Sequence, residues 1–81
     1  MLDIKILGPG CANCEKLAAE TKAALDAPGI EYELTKITDY GEIASYGILS
    51  TPGLVINDKV MSSGKIPKRP QIVSWAVEAQ G

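Results

Sequence analysis

Two cysteines, Cys11 and Cys14, stand where an alternating apolar run breaks off and a helical pattern begins. Leu2, Ile4 and Ile6 alternate with Asp3 and Lys5, and Leu7 extends the run, which reads as a strand over residues 2–7. Gly8-Pro9-Gly10 ends it and turns the chain. From about Cys11 to Ala27 the period changes. Cys14, Leu17, Ala18, Thr21, Ala24 and Leu25 recur on one helical face, while Glu15, Lys16, Glu20, Lys22 and Asp26 lie mostly on the other. A Cys-x-x-Cys pair at a helix N-terminus meets unpaired N–H groups and the positive end of the helix dipole. Both favour the thiolate, which is the nucleophile of disulfide exchange and the ligand of soft metals. The spacing places Cys11 just before the first turn, near solvent, and Cys14 on the buried stripe.

Pro28-Gly29 stops that helix. Ile30, Tyr32 and Leu34 then alternate with Glu31, Glu33 and Thr35, giving a second strand through about Ile37. A short helix is expected from Tyr40 to Tyr46, capped by Asp39 with Glu42 three residues on, and ended by Gly47. Tyr40 and Tyr46 read as its packing residues. Gly53 to Ile56 and Lys59 to Ser62 flank Asn57-Asp58, two residues tolerant of positive φ, so a tight hairpin is expected there. The last helix starts near Pro70, with Ile72, Trp75, Ala76 and Ala79 facing inward. The order βαβαββα makes the first two strands parallel through a right-handed crossover and the last two an antiparallel hairpin. The fold class is therefore α/β, a four-stranded mixed sheet flanked by helices, with residues 1–81 as a single domain.

The 81 residues carry a net charge of −2 with scattered lysines, which argues against a nucleic-acid face or a polybasic membrane patch. The first seven residues hold charge inside a short apolar run and do not form a signal sequence, so a cytoplasmic location is expected. In a reducing compartment a Cys-x-x-Cys pair is more often redox-active or metal-binding than structural.

Taken together, the strand-then-Cys11-Ala12-Asn13-Cys14-then-helix order, Thr51-Pro52 directly before the hairpin and Gly64 after it resemble a thioredoxin-fold protein over essentially the whole chain. The stretch Gly8 to Cys14 and the small size look most like the glutaredoxin-sized thioredoxins of bacteria and archaea, the redox-active disulfide proteins. The resemblance implies a thiol-disulfide oxidoreductase, with Cys11 as nucleophile and Cys14 as resolving thiol. It implies a cis peptide bond before Pro52, facing the disulfide. Gly10, Ala12, Asn13, Thr51, Pro52 and Gly64 then line the substrate site, in a docking rim that also takes in Leu49 and Ile66. No cofactor beyond the Cys11–Cys14 disulfide is implied. The expected partners are a flavin thioredoxin reductase as electron donor and protein disulfides as substrates, with the chain acting as a monomer.

Two departures stand out. The Gly-Pro that thioredoxins carry between their cysteines is replaced by Ala12-Asn13. Lys5 stands where that family has a buried carboxylate, so Lys5 is either exposed or alters the proton path of the buried thiol. The competing class is a metal-binding module, such as a copper chaperone-like carrier, because two thiolates also suit Cu(I) or Zn. Such carriers place Met two residues before the first cysteine, where this chain has Pro9, and follow a βαββαβ order. A closed four-ligand zinc site would need a dimer, since the chain has two cysteines and no histidine.

Overall fold

The alternation of Leu2, Ile4 and Ile6 builds the central strand of the sheet. The computed structural model describes residues 1–10 and 12–80. The elements run β1 (Leu2–Leu7), α1 (Ala12–Asp26), β2 (Tyr32–Ile37), α2 (Tyr40–Ser45), β3 (Gly53–Ile56), β4 (Lys59–Ser63) and α3 (Arg69–Gln80). This is the α/β architecture that the pattern predicts. The sheet order is β2-β1-β3-β4. β1 pairs parallel with β2, in register from Leu2–Tyr32 to Leu7–Ile37. β3 lies antiparallel to both β1 and β4, with an irregularity between Leu54 and Val55.

The two faces of the sheet divide the apolar residues. Ile4, Ile6, Leu54 and Ile56 meet Leu17, Leu25, Ile72 and Ala76 of α1 and α3 in the larger core. Leu7 and Val55 meet Ile43 of α2 in a smaller one, with Ile37, Tyr46 and Ile48 packed around it. Period two along β1 thus sends even-numbered side chains to the long helices and odd-numbered ones to α2. Thr21 is the polar member of the α1 stripe; its hydroxyl donates to the Leu17 carbonyl at 2.8 Å, so its burial leaves no unmade bond.

Local chemistry sets the ends. Asn57 and Asp58 take φ of 49° and 66°, the two positive values a tight hairpin turn requires. Asn57 also locks the turn to β1: its N–H donates to the Asp3 carbonyl at 2.8 Å, and its side-chain oxygen accepts the Asp3 N–H at 2.9 Å. Asp39 caps α2 by accepting the Glu42 N–H at 2.9 Å. Asp39→Ala should therefore cost about 1 kcal/mol, read as a lower midpoint in urea unfolding at unchanged slope.

The structure shifts several expectations. β2 starts at Tyr32 rather than Ile30, because the Ile30 N–H closes the end of α1 by donating to the Leu25 carbonyl at 3.0 Å. α3 starts at Arg69. Its core side chains are Ile72 and Ala76, with Val73 and Trp75 half-buried, while Ala79 is exposed. Tyr46 packs as expected, but Tyr40 does not. It is 72% exposed at the start of α2, whose six residues present one buried side chain, Ile43. Among the described residues no helix is long and apolar enough to cross a membrane.

Candidate functional site

The parallel pair β1–β2 and the antiparallel β3 bring Leu7, Ile37 and Gly53 to one edge of the sheet. Gly8, the start of α1 and the Thr51-Pro52 segment gather there. Cys14 lies in the first turn of α1, 4% exposed, at the head of the stripe that continues through Leu17, Ala18 and Thr21. Its sulfur is disulfide-bonded rather than a free thiol. Cys11, the expected nucleophile, lies outside the described residues.

The Cys14 sulfur packs against Gly8. A Cβ at Gly8 would stand 2.2 Å from Cys14 Sγ, 3.1 Å from Cys14 Cβ and 3.8 Å from Thr51 Cβ. Gly8 is itself buried, and its N–H continues the β1–β2 ladder by donating to the Ile37 carbonyl at 2.9 Å. In the sequence Gly8 reads only as a strand breaker. The signal for more was present: position 8 continues the even-numbered phase of Leu2, Ile4 and Ile6, the phase that faces α1 and hence Cys14.

The Thr51–Pro52 peptide bond is cis. Thr51 is exposed and Pro52 buried, so the proline supports the rim from below and is not part of its surface. Gly64 is tied to this segment. Its N–H donates to the Pro52 carbonyl at 2.9 Å, and its φ of 74° brings it so near Ser50 that a Cβ would lie 2.8 Å from Ser50 Cβ. Gly10, Ala12, Asn13 and Gly64 are all exposed, Leu49 is fully exposed, and Ile66 is half-buried against the larger core. The structure thus brings Cys14, Thr51, Pro52 and Gly64 to one end of the molecule, with Leu49 two residues before Thr51 in the same segment.

Charge around the site is largely paired. Glu15, next to Cys14, receives two hydrogen bonds from Lys36 of β2, at 2.7 and 2.9 Å. The acidic residue that opposes a thiolate in the helix's first turn therefore has its countercharge on the neighbouring strand. Spacing within α1 could not reveal this partner. Glu20 is paired with Arg69 of α3 at 2.7 Å, and the hydrogen bond from that guanidinium holds its carboxyl below the usual range. Lys5 is partly exposed and held by acidic neighbours. Its side chain is 23% exposed, and its ammonium lies 3.3 Å from Asp58, 3.5 Å from Asp3 and 5.9 Å from the centre of the Tyr46 ring. The Tyr46 hydroxyl, and then Asp58, hold it charged above the ordinary lysine range. Asp3 and the Asn57-Asp58 turn sit at the opposite end of β1 from Gly8, so the Lys5 charge is directed away from Cys14.

A strand leading into a helix with a buried first-turn cysteine, with Thr51-Pro52 at the head of the hairpin on the same end of the sheet, is the arrangement of a thioredoxin-like α/β protein. The comparison of sequences agrees: the family model described as a thioredoxin domain matches residues 2–76, and the chain belongs to the thioredoxin family. It is 38% identical over 72 residues to a thioredoxin of Methanocaldococcus jannaschii, covering 89% of this chain and 83% of that protein. It is 32% identical over 72 residues to a thioredoxin of Methanothermobacter thermautotrophicus, covering 89% of this chain and 94% of the relative. Membership of this family points to thiol-disulfide oxidoreduction.

Proposed function

We propose that this chain is a protein-disulfide reductase that works through a Cys11–Cys14 redox pair, with Cys11 attacking and Cys14 resolving. The observation that carries the reading is the seat of Cys14: a buried sulfur, not a free thiol, packed against Gly8 at the end of the sheet where Thr51 also approaches Gly8.

In the reduced protein the Cys11 thiolate attacks one sulfur of a target disulfide. A Cys11–target bond forms, the target disulfide breaks, and the departing target sulfur takes a proton. The Cys14 thiolate then attacks Cys11. The Cys11–Cys14 bond forms and the second target sulfur leaves, so two electrons have passed from the protein to its target. Exposed Thr51 and the small residues Gly10, Ala12, Asn13 and Gly64 leave room for an extended target segment to lie across the sulfurs. Pro52, buried below, shapes the floor. A flavin thioredoxin reductase restores the dithiol, and the chain acts as a cytoplasmic monomer with no further cofactor.

The metal-carrier reading fares less well. The order β1α1β2α2β3β4α3 departs from the βαββαβ order of small copper chaperones.

The test is a redox titration of the pair, followed by alkylation of free thiols and mass spectrometry across dithiol buffers. A reversible two-electron transition is expected, and a midpoint near −270 mV, about that of thioredoxin, would mark a general reductase. A midpoint well above it would shift the role toward a glutaredoxin-like or oxidising function. If no intramolecular disulfide forms at any poise, the redox reading is wrong, and Cu(I) and Zn titrations test the carrier.

A further inference from the structure

We propose that Gly8 is a positioning residue for the resolving sulfur: its missing side chain is the space in which Cys14 Sγ sits when the ring is closed. The inference rests on the redox reading above.

Gly8 does not take a positive φ, unlike Gly10, Gly29, Gly47 and Gly64, so its backbone conformation does not itself demand glycine. What excludes a side chain is space. The strand phase aims position 8 at α1, and a Cβ there would lie 2.2 Å from Cys14 Sγ, far inside van der Waals contact. Neither partner can easily yield. Gly8 is held in the sheet by its 2.9 Å hydrogen bond to the Ile37 carbonyl. Cys14 is fixed by the α1 backbone, which Leu17, Ala18 and Thr21 bury along the same stripe. A side chain at position 8 must therefore displace the sulfur itself. The Thr51 Cβ, 3.8 Å from the same point, closes the other side.

The consequence falls on one chemical step. Attack by Cys11 on a target disulfide does not require Cys14 in its closed position. Ring closure does, because the Cys14–Cys11 bond forms as the Cys11–target bond breaks and the target thiolate departs. A sulfur displaced by about 1 Å can lose one to two orders of magnitude in such a step. Because the closed ring is the form destabilised, the potential of the pair must also rise, by about 30 mV for each tenfold change in the equilibrium constant.

The experiment mixes the fully reduced protein with an equimolar aromatic disulfide, 5,5′-dithiobis(2-nitrobenzoate), and follows the coloured thiolate. Wild type should release a first thiolate on attack and a second on ring closure. In Gly8→Ala the first phase should stay near the wild-type rate and the second should slow by about tenfold or more, with the potential raised in step. A second phase slowed less than about fivefold overturns the proposal. Should Gly8→Ala fail to fold, the double variant Gly8→Ala/Cys14→Ala decides. Recovery of the fold once Sγ is removed upholds the steric assignment, whereas continued failure overturns it. Failure of the redox reading looks different: wild type itself would release no second thiolate, and the inference would fall with that reading.

Discussion

Cys14→Ser is expected to accumulate a covalent complex with target proteins, joined through Cys11, that is stable without reductant and released by added dithiol. Cys11→Ser is expected to abolish turnover altogether. The asymmetry follows from position. Cys14 is 4% exposed at the head of the buried α1 stripe, so a bulky target disulfide cannot reach it in line. Its sulfur can serve only a partner already brought inside the site. Removing it leaves the first displacement intact and deletes the second, so the mixed disulfide has no internal exit. Removing Cys11 deletes the first displacement, and a serine hydroxyl does not replace it, since the thiolate is the nucleophile of exchange. The measurement is a non-reducing gel and intact-mass spectrum of each variant after exposure to a disulfide-bonded protein such as insulin. A trapped adduct in Cys11→Ser and none in Cys14→Ser would reverse the two roles. Turnover retained by Cys11→Ser would end the assignment.

The path from pattern to fold was short because β1 and α1 each carry an unbroken period. Leu2, Ile4 and Ile6 give the strand, and Cys14, Leu17, Thr21, Ala24 and Leu25 give the helix, so their boundaries agree with the structure within a residue. The hairpin was legible in Asn57-Asp58, and the α2 cap in Asp39. Where the pattern misled at Tyr40, length was the cause. α2 is too short to turn two tyrosines inward, and only Tyr46, at its carboxyl end, reaches the sheet. The site divides in the same way. Cys14 on the buried stripe and Thr51-Pro52 before the hairpin are local features, readable from spacing and resemblance. The Lys36–Glu15 pair, the turning of Lys5 toward Asp3 and Asp58, and the contact of Gly8 with Cys14 depend on how the elements are brought together. Glu15 and Lys36, and Lys5 and Asp58, lie too far apart in sequence for spacing to pair them, while Gly8 and Cys14 are near in sequence but meet only once the turn between strand and helix is set. Gly8 is the instructive case, because its strand phase was visible but what faced it was not.

Gly64→Ala should be the most costly single-methyl addition on the cis-Pro side of the site, and for two separable reasons. Gly64 takes a φ of 74°, a left-handed conformation that costs an L-residue about 1 kcal/mol. The added Cβ would also lie 2.8 Å from Ser50 Cβ, and overpacking of this kind typically costs about 1–3 kcal/mol. The expected loss is therefore about 2–4 kcal/mol, a large share of the roughly 5 kcal/mol expected for a domain of this size. Urea unfolding of the oxidised protein measures it. The two causes are separated with Ser50→Gly, which removes the opposing Cβ but leaves the backbone conformation alone. In that background Gly64→Ala should cost only the conformational part, about 1 kcal/mol. An equal cost in both backgrounds would show that the Ser50 contact contributes nothing. The consequence for the site runs through one hydrogen bond. Gly64 N–H holds the Pro52 carbonyl at 2.9 Å, so relief of the clash by movement of β4 withdraws the support of the Thr51–Pro52 segment. Target reduction by Gly64→Ala should then weaken chiefly through a raised KM, with the potential of the cysteine pair unchanged. This is the opposite signature to Gly8→Ala, which acts on the sulfur and moves the potential. One glycine adjoins the Thr51–Pro52 segment and the other leaves the space that the Cys14 sulfur fills.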